Sequence, residues 1–342
     1  MFADLSLAWL IGLFAVAAGA VILSSIKATG LADIIADRTK MGEAMVGGLI
    51  LGGATSLAGV VVSVNAALSG EASFAFSNAV GGIAAQTLFL AIADMLHKRA
   101  NLEHAAAEPE SLFQAILLII LLSLPLCAVA GPDIAVWSVH PVSPLILAGY
   151  IWGLRLSATV RDLPMWEPVE TPQTRHDTPD EDSDPEASVL RPAAVFVGLV
   201  AIMAVGGWVI GKIGGRFITR FGLEASLVGA VITAVVTSLP EFVTTLTAVR
   251  RGALQLAVGG IIGGNTFDTL FLVASDVAYR EGSLYHAVGT SDLYWLATGL
   301  LMTAILLGGL ILRQREGPAR IGIESVLLMA AYAAALGLAL FR

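Results

Sequence analysis

The chain has 342 residues, of which 56% are hydrophobic and 13% charged, and its formal net charge is -8. A water-soluble domain of this length cannot bury that much apolar surface, so the lipid bilayer is expected to be its main solvent. The acidic balance argues against nucleic acid as a partner, and the single cysteine, Cys127, excludes a thiolate metal cluster and is expected to pack within its apolar run.

A bilayer core takes about 20 apolar residues per helix, and segments of that kind recur at 7–26, 44–68, 73–96, 112–130, 142–158, 192–210, 225–249, 254–276, 290–312 and 322–341. The first lacks a basic leader and a small-residue cleavage site, which makes it a retained helix rather than a signal peptide. The fifth is short and opens with Pro141 and Pro144. Between the fifth and sixth runs the polar stretch from Val160 to Pro192, with PVETPQTRHDTPDEDSDPE at its heart, whose proline and acid content predicts a flexible linker. Of the 19 Lys and Arg residues, 14 fall in loops on the linker's side of the bilayer. The positive-inside rule then places the linker in the cytoplasm and both termini outside, with Lys212, Arg216 and Arg220 as the exception. The expected location is the plasma or inner membrane.

An internal repeat organises these segments. At a fixed offset of 182, residues 52–94 align without gaps on 234–276, with 14 of 43 positions identical. The matches include Thr55/Thr237, Ser56/Ser238, Gly81/Gly263, Gly82/Gly264, the run TLFL beginning at Thr87/Thr269, and Asp94/Asp276. Shared Leu and Ala arise easily in membrane helices, but a matched series of Thr, Ser, Gly and Asp points to duplication. Five helices per half is an odd number, so the second half must be inverted relative to the first, an arrangement that puts a substrate site near the midplane. The expected fold is therefore an all-α polytopic membrane protein of about ten transmembrane helices in two inverted five-helix repeats, residues 1–158 and 192–342, joined by the linker 159–191.

Two acids, Glu241 and Asp268, fall well inside predicted spans, whereas Asp94, Asp276 and Glu324 lie near span ends where water is expected to reach them. An ionised group at membrane depth costs about 3 kcal/mol or more unless it is paired, solvated or protonated. Such acids serve either function or, kept protonated, a hydrogen bond to a neighbouring helix. Thr237, Ser238, Glu241, Thr244 and Thr245 share one helical face. Their hydroxyls offer a stripe of oxygen ligands, or else bond back to carbonyls of their own helix. Pro240 removes a helical N–H and frees a carbonyl near Val236. On the next span Gly263, Gly264, Asn265 and Asp268 supply close backbone approach and more oxygens, although glycines also serve plain helix packing. Oxygen-only ligation suits hard cations, a group I ion or calcium. His97, His104, His140, His176 and His286 sit at or beyond span ends in solvated or packing roles, so zinc and copper are not indicated, and no cofactor is expected.

The residues TSLPEFVTTLTAVRRG followed by IGGNTFDTLFL resemble the second alpha repeat of the sodium/calcium exchanger (cation/calcium antiporter) superfamily, a TSLPE element followed by a G-[SG]-N-x-F-[DN] element. The five-plus-five layout with a central linker extends the likeness over the chain. The resemblance implies that Glu241 is a principal cation ligand, Asp268 a second carboxylate, and Thr237 and Ser238 hydroxyl or carbonyl donors, with Asn265 and, from the first repeat, Thr55, Ser56 and Gln86 completing the set. The first half departs from the pattern: its element reads TSLAG, with Ala58 in place of the proline and Gly59 in place of the glutamate, while Gln86 matches Asp268 and Ile83 matches Asn265. Thr55, Ser56 and Ser63 remain as oxygen donors. With two carboxylates at most, a divalent ion is less well neutralised here than in the usual family site, and the carried ion stays open between calcium and a monovalent cation. The implied activity is secondary antiport by alternating access against sodium or protons. The competing reading is a non-transporting regulatory or assembly protein derived from such an exchanger and meeting partners through its acidic linker. An enzyme would need a nucleophile with its base, and no such set is present.

Overall fold

The computed structural model describes residues 5–39, 52–97, 101–106, 108–169, 189–314 and 321–341, and the regular elements among them are helices. In chain order they are α1 (Leu7–Thr39), α2 (Gly52–Thr55), α3 (Leu57–Leu68), α4 (Ala72–His97), α5 (Leu102–Ala105), α6 (Pro109–Ala130), α7 (Val142–Asp162), α8 (Leu190–Phe221), α9 (Ala225–Thr237), α10 (Leu239–Arg251), α11 (Leu254–Ala278), α12 (Thr290–Leu312) and α13 (Ile323–Leu340). A 3₁₀ turn, Leu284–His286, lies between α11 and α12. Seven of these are long and apolar enough to cross a bilayer, and the bent pair α9–α10 makes an eighth. With α7 and the α2–α3 pair, which fall short of that length or apolarity, the ten predicted segments are helical over their described residues, apart from the single-residue breaks within two of them. Residues 44–51 of the second predicted span and 170–188 of the linker lie outside the described residues.

Burial sorts the helices into inner and outer. Of its most apolar stretch, 78% is buried in α4 and 56% in α11, against 22% in α1 and in α8. The central pair α4 and α11 therefore packs against protein on most sides, and α1 and α8 turn large apolar side chains such as Trp9, Val16, Val197 and Val205 outward, as lipid-facing helices do. Small residues set the close crossings. A Cβ at Gly207 of α8 would stand 2.5 Å from the Ala58 carbonyl oxygen, and one at Gly81 of α4 would stand 2.3 Å from the Ala230 Cα of α9. These contacts are backbone against backbone, which in lipid replaces the hydrophobic drive that water would supply.

The repeat is built into both broken helices. The polypeptide breaks at Ser56, between α2 and α3, and at Ser238, between α9 and α10, positions 182 apart. The second break bends the pair by 43°. Pro240 at the start of α10 explains it, since proline fits the first turn of a new helix but not the interior of a continuous one. The first break has no proline, and Ser56 there has φ of -76° and ψ of -8°, against -94° and -1° at Ser238. Both short helices end alike, on Gly70 and Gly252 with φ of 80° and 88°, the left-handed conformation that glycine adopts without a steric penalty. Ahead of Thr237, α9 contains a π-helical turn, Val228–Thr233, packed on α4 through Gly229.

The same offset governs the ends of the central helices. Asp94 near the end of α4 accepts the Leu102 N–H at 2.8 Å and the Gly322 N–H at 3.2 Å. Asp276 near the end of α11 accepts the Leu284 N–H at 2.9 Å and the His140 N–H at 2.8 Å. Leu102 and Leu284, like His140 and Gly322, are again 182 apart. Each acid thus ties the turn after its own helix to the partner repeat. This corrects the expectation that water reaches Asp94, Asp276 and Glu324: all three are buried, Asp94 and Asp276 occupied with backbone donors beneath those turns and Glu324 folded in beside Gly309 and Gly322. Cys127 differs as well, being exposed on the outer face of α6 rather than packed.

Candidate cation site

Where the broken helices meet the central pair, polar side chains from both repeats converge. Glu241, in the first turn of α10, is buried at 7% exposure, and Asp268, midway along α11, at 1%. The Ser56 hydroxyl, at the break of the first repeat, donates to Glu241 Oε1 at 3.2 Å. Thr55 also reaches Glu241. Gln86 on α4 donates through Nε2 to Asp268 Oδ2 at 2.6 Å and, more weakly, to Ser238 Oγ at 3.4 Å. Gln86 and Asp268 are repeat equivalents, and equivalents that touch each other must sit beside the axis relating the two halves.

Four buried oxygens in this group have no hydrogen-bond partner: Glu241 Oε2, Asp268 Oδ1, Asn265 Oδ1 and Gln86 Oε1. Each such atom costs about 1–3 kcal/mol when left dry and unpaired, so a cluster of four is a strong sign of a ligand. They are acceptors of the kind that hard cations take. Glycines open the space around them. A Cβ at Gly82 would stand 3.5 Å from both Asp268 Oδ2 and Ser238 Oγ, and one at Gly264 would stand 3.2 Å from Gln86 Oε1.

Other predicted oxygens are otherwise engaged. The Thr237 hydroxyl bonds back to the Thr233 carbonyl at 2.9 Å, and Thr244 to the Glu241 carbonyl at 2.9 Å. Asn265 Nδ2 donates to Thr87 Oγ1 at 3.0 Å, which leaves its carbonyl oxygen for the pocket. On the first repeat's side, a Cβ at Gly59 would stand 2.6 Å from the ring of Phe271, so an aromatic fills the place that a side chain at position 59 would enter. Sequence reasoning missed both Phe271 and Asn78. Asn78 bonds the Gly59 carbonyl at 3.2 Å, Ser63 Oγ at 2.9 Å and the Thr233 hydroxyl at 2.7 Å, stitching α4 to both broken helices. Its signal was present, an amide at membrane depth, but it lies outside the two motif elements from which the candidate ligands were drawn.

Inverted repeats with broken helices meeting at a buried, oxygen-rich site are the architecture of secondary transporters. The family model described as sodium/calcium exchanger protein matches residues 9–149 and 191–341. The chain belongs to that family, and it is an integral membrane protein. Structures of the sodium-calcium exchanger NCX_Mj share its fold: the form soaked with 10 mM Na+ and zero Ca2+ superposes with a TM-score of 0.62 at 16% identity, covering 96% of this chain and 98% of the other. The form soaked with 2.5 mM Na+ and 0.1 mM Sr2+ gives 0.63 at 16% identity over 97% and 99%. Among named relatives, CaxA of Alkalimonas amylolytica is 33% identical over 95 residues, 27% of this chain and 30% of the relative. Sodium/calcium exchanger MaX1 of Methanosarcina acetivorans is 31% identical over 91 residues, 27% of this chain and 24% of the relative. Each of these two matches spans less than a third of the relative's own length.

Proposed function

We propose that this chain carries a single cation, calcium or a monovalent ion, across the membrane in exchange for sodium or protons, with Glu241 and Asp268 as its charged ligands. The observation that supports this reading most is the set of four unpartnered buried oxygens at the repeat interface. Ser56, Ser238, Asn265, Gln86 and the neighbouring Thr55 and Thr237 complete the coordination through hydroxyl, amide or backbone oxygens. The cation is cargo, bound for part of a cycle in which the two repeats rock about the axis marked by Gln86 and Asp268. Protons compete with the ion for the two carboxylates, which couples the flows without a second ion site. The filled position beside Gly59 supports one ion per cycle.

The orientation that goes with this reading places the central linker in the cytoplasm of a plasma or inner membrane. Reconstituted protein is expected to exchange calcium, sodium or potassium against an imposed sodium or proton gradient, and Glu241→Gln to stop it. Absence of flux for all of these ions with well-folded protein would leave the non-transporting reading, which the Phe271 ring in the first repeat's half of the pocket favours.

A further inference from the structure

The ends of the two central helices are capped alike but populated differently. At the end of α11, one acid suffices: the Ser143 hydroxyl donates to Asp276 Oδ2 at 2.6 Å and shares a hydrogen bond of 2.9 Å with the Tyr285 hydroxyl. At the end of α4, the positions equivalent to Tyr285 and Val142 are Glu103 and Glu324. Each of Asp94, Glu103 and Glu324 offers a carboxylate oxygen within 4.8 Å of the others. The two extra acids add nothing to the capping, which Asp94 performs alone.

These acids have almost nothing to bond to. Glu103 is 1% exposed and Glu324 4% exposed. Beyond one another, both carboxylate oxygens of Glu103 and Oε1 of Glu324 lack a hydrogen-bond partner, and so does the hydroxyl of Ser325, the equivalent of Ser143. Among the described residues no Lys, Arg or His forms an ion pair with any of the three acids. Glu324 is steered inward by two glycines, since a Cβ at Gly309 would stand 2.4 Å from its Cγ and one at Gly322 would stand 1.6 Å from its Oε1. Oxygens on one calcium ion, each about 2.4 Å from the metal, lie at most about 4.8 Å apart, and the cluster meets that limit.

We propose that Asp94, Glu103 and Glu324 form a second site for a hard divalent cation of the calcium class, separate from the mid-membrane pocket. A bound ion there fastens the end of α4 and the α5 turn, both of the first repeat, to the first turn of α13 in the second. It therefore acts on the relative position of the repeats, a regulatory role rather than a transport one.

The test uses the full chain with Glu241→Gln and Asp268→Asn, which removes the charges of the mid-membrane pocket. Titration with calcium chloride by calorimetry should show one saturable site per chain, and calcium should raise the thermal unfolding midpoint. Adding Glu103→Gln should weaken calcium binding at least tenfold and remove the thermal shift. Should that variant fold poorly, Glu103→Tyr, which copies the other end of the molecule, should fold and likewise lose calcium. Should the charge-neutral background itself fold poorly, the unaltered chain should bind one more calcium ion than its Glu103→Tyr variant. No calcium binding in the folded background, or binding untouched by the Glu103 changes, overturns the proposal, and neither result bears on whether the chain transports ions.

Discussion

In the second repeat the turn at Ser238 leads into Pro240 and Glu241, and the carboxylate enters the pocket. In the first repeat the turn at Ser56 leads into Ala58 and Gly59, and the ring of Phe271 occupies the space beside it. The helix breaks at the equivalent serine in both, with a proline after the second break and none after the first. The charge, by contrast, belongs to one half alone. The two copies share the scaffold and differ at the site, an acid at position 241 against a glycine packed on an aromatic at position 59.

The largest effect that sharpens this comparison is on transport. Glu241→Gln is expected to lower exchange by about a hundredfold or more, the scale of losing a charge-assisted ligand interaction of roughly 3 kcal/mol, whereas Ser63→Ala, in the first repeat and bonded to Asn78, should leave ion selectivity unchanged. Initial rates in proteoliposomes measure both. Next in size is the steric contrast. Gly59→Glu alone drives a side chain into Phe271 and should cost about 1–3 kcal/mol of stability. Combined with Phe271→Ala, it should cost less than the two changes added separately, as a double-mutant thermal-unfolding cycle would show. If the costs simply add, the aromatic does not take the glutamate's place.

Gln86→Leu tests the axis. It removes the 2.6 Å donor to Asp268 and should destabilise by about 1–3 kcal/mol, with a matching loss of cation affinity in a calorimetric titration. The smallest expected effect is a pH dependence at the far end of α4. Burial, then the charge of Asp94 and the contact with Glu324, hold the Glu103 carboxyl well above its ordinary range. A carboxyl raised in the folded state contributes stability that is full below its unfolded value, about 4.3, and is lost as pH rises through the folded value. In chelator the unfolding midpoint should therefore fall as pH rises from about 4.3, and Glu103→Gln should flatten that slope.

Much of this was legible in the residues. The offset of 182 paired the spans that become the broken helices and the central helices, because duplicated Thr, Ser, Gly and Asp positions carry more information than apolar content. Ser56 bonds Glu241, and Gln86 bonds both Asp268 and Ser238, each bond joining one repeat to the other. Phe271 was illegible, since an aromatic in an apolar run gives no sign of which neighbour it faces. Asp94 and Glu324 were misjudged for a related reason: distance from the span centre was read as access to water, and only the fold shows the α5 turn and α13 closing over them. The repeat itself held the clue, in Glu103 standing where its counterpart is Tyr285.

The most direct measurement is cation binding to the mid-membrane pocket alone, in the chain carrying Glu103→Gln and Glu324→Gln. Calorimetric titration with calcium, sodium and potassium at several pH values should find one saturable ion per chain, weakened by protons and abolished by adding Glu241→Gln. Binding that survives Glu241→Gln unchanged, or that never appears in the folded parent, would contradict the assignment of Glu241 and Asp268 as the ligands of a transported cation.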